Sequence, residues 1–222
     1  MKSRRVRFSK TGMGKYISHL DLLRCFTRAI QRSGLPVVYS QGFNPHQKMT
    51  FALPLSIGVT SECETVDIQF EDWVSDAEIM EKLSANLPMD MQVLSVGDPT
   101  PKASEIVAAE YRMEAGYNGN IDKEQMNGFF SQTEIPVTKR TKKKGETSVN
   151  LLDYLRSWEI TGITDTGFCI RVIVDAGERN LKPELLATAL EAYLAPIEIT
   201  EWDITRKRIF VCPDGETLSE FC

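Results

Sequence analysis

The stretch YISHLDLLRCFTRAIQRSGLPVVYSQGFNPHQKMTFALPLS, residues 16–56, holds one helix, one tight polar loop and the opening of one strand. Ser18 suits an N-cap, with Asp21 three positions later as its reciprocal partner. Gly34, followed by Leu35 and Pro36, supplies the stop. The spacing therefore predicts a helix over His19–Ser33. Leu22, Leu23, Phe26, Ala29 and Ile30 recur at three- and four-residue steps as an apolar stripe, whereas Arg24, Arg28 and Arg32 fall four apart on another face. The loop Tyr39-Ser40-Gln41-Gly42-Phe43-Asn44-Pro45-His46 combines aromatic rings, hydrogen-bonding side chains and two turn formers. That composition presents groups to a ligand better than it packs a core.

On the N-terminal side, Arg5, Arg7 and Ser9 alternate with Val6 and Phe8, which predicts a half-buried strand over 4–10 with a basic outer face. On the C-terminal side, residues 48–59 read as extended, and 64–70 alternate polar with apolar residues as a hairpin partner would. Ser75 caps a second helix whose buried side carries Ile79, Met80, Leu83 and Leu87, Pro88 ends it, and 91–96 form a further strand. Strand, helix, strand, strand, helix, strand is the ferredoxin-like order, with two helices on one face of an antiparallel sheet.

Pro99-Thr100-Pro101 breaks any continuing element, and much the same order of elements then follows a second time. The expected fold is α+β, two tandem ferredoxin-like (βαββαβ) units with antiparallel sheets, spanning 1–99 and 105–222. Lys139 to Gly145, KRTKKKG, reads as the basic tip of a hairpin in the second half, either simply solvated or in contact with phosphate.

Charge is distributed unevenly. The chain carries −5 overall, yet residues 1–50 hold ten bases against one acid, Asp21, for +9, and the remainder holds sixteen bases against thirty acids, for −14. A fold that keeps the first fifty residues together has one basic pole, which favours an anionic partner there. Five cysteines without close pairing suit a reducing cytoplasm, and no apolar run is long enough for a membrane span. Two histidines and scattered cysteines give no metal-ligand spacing, and the absence of a CxxxCxxC run leaves no place for an iron–sulfur cluster, so no cofactor is expected in this chain.

His19 and His46 are the side chains that titrate near neutrality, as general acid–base cleavage of RNA requires. A catalytic reading makes one of them the acid or base, with Tyr39 or Ser40 as a second proton-handling group, and Arg24, Arg28 and Lys48 stabilising phosphate charge. The plainer reading has His19 as a helix-start residue and His46 as a turn residue. Asp21, the lone acid of the basic half, is explained by its capping role. Phe43 and Tyr39 offer faces on which unpaired bases stack, while Phe43 packed back onto the core is the competing expectation.

The run SHLDLLRCFTRAIQRSGLPVVYSQGFNPHQKMTFALPLSIGV, extended more weakly through Leu181-Lys182-Pro183, resembles the bacterial radical-SAM-associated family of unknown function in its stand-alone form. The resemblance implies a radical SAM protein as partner and supplies no activity or catalytic set. In architecture, tandem ferredoxin-like units are also similar to CRISPR repeat-processing endoribonucleases and some tRNA pseudouridine synthases, a weak warrant for function. The expectation is an accessory protein of a radical SAM enzyme that binds RNA or another anionic substrate, with Arg24, Arg28, Arg32, Tyr39, Ser40, Gln41, Phe43, Asn44, His46 and Lys48 as ligand-binding residues. A binding role is preferred to a catalytic one. The alternatives are a metal-independent RNA-processing or RNA-modifying enzyme and a protein–protein adaptor.

Overall fold

The computed structural model describes residues 1–141 and 145–221, and its contacts divide the chain into Met1–Ile106 with Val211–Cys222, and Val107–Phe210. Among the described residues the fold is mixed α+β, with four α-helices and antiparallel strand pairing in both units.

In the first unit, β1 (Lys2–Lys10) is followed by α1 (His19–Ser33), a short β2 (Met49–Phe51), β3 (Thr60–Phe70), α2 (Asp76–Asn86) and β4 (Val93–Gly97). The strands lie in the order β4-β1-β3-β2, every neighbouring pair antiparallel. The expected bounds of α1 agree with those observed, because its ends are encoded locally. Ser18 Oγ accepts from the Asp21 amide at 3.2 Å, and Gly34 closes the helix in the left-handed region at φ 66°, where a side chain is disfavoured. The Asp21 carboxylate accepts from the Ser18 hydroxyl at 2.7 Å. Leu22, Phe26, Ala29 and Ile30 are buried, but Leu23 is partly exposed and leaves the expected stripe.

The core lies between the two helices and one sheet face. Phe26 meets Phe8 of β1 at 4.8 Å and Phe51 of β2 at 5.4 Å between ring centroids, and Val66, Ile68, Ile79 and Leu83 complete it. Since Val6 and Phe8 point to the helices, Arg5, Arg7 and Ser9 point to the other face. That face is not the wet basic surface expected from the alternation. Arg5 is 3% exposed: it bonds both oxygens of Asp67 on β3 at 2.8 and 2.9 Å, donates to the Pro101 carbonyl at 2.8 Å, and stacks 4.0 Å from the Phe221 ring. The C-terminal segment and the linker thus cover the middle of this sheet face, and Ser9 is buried as well.

Residues 12–16, between β1 and α1, form a 3-10 turn. The extended stretch 48–59 contributes only three residues of ladder to β3.

In the second unit, β5 (Ile106–Asn118) leads to α3 (Lys123–Phe130), β6 (Pro136–Thr141), β7 (Gly145–Asn150), β8 (Leu155–Thr164), β9 (Gly167–Asp175), α4 (Pro183–Leu194) and β10 (Glu198–Val211). The sheet order is β10-β5-β9-β8, while among the described residues β6 and β7 pair only with each other. The second half therefore does more than repeat the first, since this hairpin is inserted between α3 and the strand that returns to the sheet. A 3-10 turn at Leu151–Tyr154 separates β7 from β8. Within the expected basic tip, residues 142–144 lie outside the described residues. Lys139 packs its ammonium 4.8 Å from the Tyr154 ring, and burial followed by the nearby Arg179 charge pulls its pKa down. By its contacts, Val211–Cys222 groups with the first unit.

Candidate functional site

The loop after α1 is a built structure. Val38 donates its amide to the Gln69 carbonyl of β3 at 2.8 Å and accepts from the Lys48 amide at 2.9 Å, which ties both arms of the loop to the sheet edge. Tyr39 and Gln47 form a β-bridge. Above it, the Ser40 amide donates to the His46 carbonyl at 2.8 Å, Ser40 Oγ accepts from the His46 amide at 3.1 Å, and the same hydroxyl lies 2.9 Å from His46 Nδ1. Gly42, at φ 125°, takes a backbone conformation that a side chain would strain. This closed neck carries Phe43 outward, fully exposed, so the expectation that it packs onto the core is not met. Gln41, Asn44 and His46 are also exposed, and Tyr39 is partly so.

The loop is joined to α1 through Gln47, which is buried and donates from Nε2 to the Thr27 carbonyl at 3.3 Å. Thr27 adjoins Arg28. Along the outer face of the helix, Asp21, Arg24, Cys25, Arg28, Arg32 and Pro88 line a shallow open groove. The three arginines differ in how free they are. Arg24 pairs with Asp21 at 2.9 Å, and Arg32 donates to the Asn86 carbonyl at the end of α2. Arg28 has no ion-pair or hydrogen-bond partner among the described residues. The Ser18 hydroxyl first, and then the Arg24 side chain, hold the Asp21 carboxyl below its ordinary pKa. Burial pushes the Cys25 thiol up against the opposing influence of Arg32 and Arg28, so it is no poised nucleophile.

The two histidines do not share a site. His19 sets its ring edge-on to Phe51 at 5.5 Å and borders a small cavity with Lys10, Ile17, Leu22, Leu53, Leu55 and Glu64. His46 borders a different and larger hollow of about 490 Å³ with Ser3, Lys48, Met49, Thr50, Asp67 and Gln69. Among the described residues no cluster of three His, Cys, Asp or Glu side chains could hold a metal, and Cys25, Cys63, Cys169 and Cys212 are free thiols. No helix there is long and apolar enough to cross a membrane.

Sequence reasoning found the loop and the arginine face but missed Ser3, Thr50 and Gln69 at the hollow. These are polar residues on strands, and their convergence depends on β1–β3 and β2–β3 register. It also overstated the free positive charge. Arg4 pairs with Asp76 and Asp98, and Arg5 with Asp67.

No curated protein matches the sequence. Two solved structures share the fold. One is a crystal structure of a Cbf5-Nop10-Gar1 complex, similar to 93% of this chain and 48% of its own at 11% identity and TM-score 0.52. The other is a structure of an H/ACA RNP bound to a substrate RNA containing 2'-deoxyuridine, covering 92% of this chain and 47% of its own at 12% identity and TM-score 0.52. The chain thus spans about half the length of the proteins it matches, and at this identity the likeness is one of fold. Over residues 4–183 the sequence matches a family described as "Uncharacterized protein conserved in bacteria (DUF2344)", and the chain belongs to that family.

Proposed function

We propose that this chain is an accessory protein of a radical SAM enzyme in the bacterial cytoplasm, and that it binds RNA, or another anionic substrate, through α1 and the Tyr39–His46 loop. The observation that carries the binding site is the closed loop neck, which holds Phe43 in solvent while Gln47 anchors the neck to α1 beside the unpaired Arg28. An unpaired cation and an exposed aromatic ring are the elements of a single-strand binding surface. The fold likeness to an H/ACA RNP bound to a substrate RNA is in keeping with RNA as ligand. The radical SAM partner rests on the resemblance of residues 18–59. Strand orders β4-β1-β3-β2 and β10-β5-β9-β8 support reading each half as ferredoxin-like, the second with a hairpin insertion.

Purification of the full chain from cells at low salt tests this. The expected result is copurifying RNA that a high-salt wash releases, because phosphate contacts weaken steeply with salt. Clean protein at low salt, with a protein partner held independently of salt, would replace the reading with that of an adaptor.

A second reading, a metal-independent RNA-processing enzyme, is favoured by one contact: Ser40 Oγ fixes His46 at Nδ1 and leaves its other ring nitrogen for a substrate. His46→Ala would then abolish turnover of bound RNA while sparing its retention. Unchanged turnover in that variant removes His46 from any such role.

A further inference from the structure

The hollow beside the loop is a candidate phosphate site. It opens on the sheet face away from the helices, at the edge formed by β2 and β3, where Lys48, Thr50 and Gln69 meet Ser3 of β1 and His46 of the loop neck. Lys48 is half-buried, and its ammonium has no partner among the described residues. An ammonium without a counter-charge, beside neutral hydrogen-bonding groups, suits a bound anion. One acid, Asp67, lines the same hollow, but both its oxygens are already bonded to Arg5, so its charge is compensated in place. Ser3, Thr50 and Gln69 supply neutral hydrogen-bonding groups to complete an oxyanion shell.

His46 belongs to both this hollow and the neck that carries Phe43. Phe43 is three residues away, within about 11 Å of extended chain, the reach of a nucleotide or two. In the chain Phe43 is flanked by Gln41, Gly42 and Asn44, so the exposed ring is a stacking face with amide side chains as its sequence neighbours.

We infer that the ligand is single-stranded RNA, held by a phosphate of its backbone against Lys48 in this hollow and by an adjacent unpaired base stacked on Phe43. This rests on the RNA-binding reading above and narrows it to unpaired RNA with a defined contact pair. A base inside a duplex cannot offer its face to Phe43 without being unstacked, so duplex RNA lacks the second contact.

The test is fluorescence anisotropy with an oligoadenylate of about 12 nucleotides, a length within the usual range of single-strand sites, compared with the same strand in a duplex. Far-UV circular dichroism checks that each variant is folded. Phe43→Ala is expected to weaken single-strand binding by about tenfold or more without altering its salt dependence, and Phe43→Trp to restore it. Lys48→Gln is expected to lower the slope of log affinity against log salt by about 0.7, the signature of one lost phosphate contact on a single strand. If both variants bind like the parent while Arg28→Glu is weakened, this site is wrong and the helix-face reading stands. Equal affinity for strand and duplex also overturns it. If the parent chain binds neither form, the RNA-binding reading fails and this inference with it.

Discussion

Reversing Arg24 and Arg28 together to glutamate is expected to lower affinity for single-stranded RNA on the order of a hundredfold, about 2.7 kcal/mol. Arg28 is the unpaired cation of the helix face, and Arg24 shares its charge with Asp21. After reversal Asp21 loses its partner and stands one helical turn before the first of two new acids, so the groove changes from net positive to net negative and repels phosphate. Arg24 is largely solvent-exposed and Arg28 is exposed, so the fold should tolerate the change within about 0.5 kcal/mol. Arg171→Glu on β9, an exposed arginine of the second unit paired with Glu159, serves as the control and should leave affinity unchanged. A loss of less than twofold in the double variant would show that the helix face takes no part in binding.

Arg5→Ala is expected to destabilise the first unit by about 3 kcal/mol, seen as a urea midpoint lower by about 1 M. The side chain makes three kinds of contact at once: the two-oxygen pair with Asp67, the bond to the Pro101 carbonyl, and the face of Phe221. Removing it leaves Asp67, itself only 23% exposed, without its counter-charge. It also releases the C-terminal segment from the sheet face. Arg5→Lys should recover little, since an ammonium cannot reproduce the forked bonding or the planar stacking. A midpoint unchanged by either substitution would mean that the C-terminal segment is not held by this residue.

Arg5 also marks where the sequence was hardest to read. The alternation of Val6 and Phe8 with Arg5, Arg7 and Ser9 reports a strand with one apolar face, and β1 is that strand. It does not report what covers the other face, because Phe221 and Pro101 are distant in sequence. The same holds for charge. Ten bases in the first fifty residues suggest a basic pole, but Asp67, Asp76 and Asp98 from the acidic remainder return to pair with Arg4 and Arg5. By contrast α1 was legible to the residue, since caps and periodicity are local signals. The short β2 was overestimated because extended backbone and ladder pairing look alike in a sequence. Of the site, the loop and the arginine face were visible as composition, whereas the neck bonds of Ser40 with His46 and the hollow around Lys48 arise from register and turn geometry.

The most direct measurement is ultraviolet crosslinking of copurified RNA to the full-length protein, followed by mass-spectrometric mapping of the attached peptides. Crosslinks concentrated on residues 39–48, with Phe43 foremost and the arginine face of α1 next, are the expected result. Crosslinks confined to the second unit, or none on a protein that retains RNA, would contradict the assignment of the loop as the binding site.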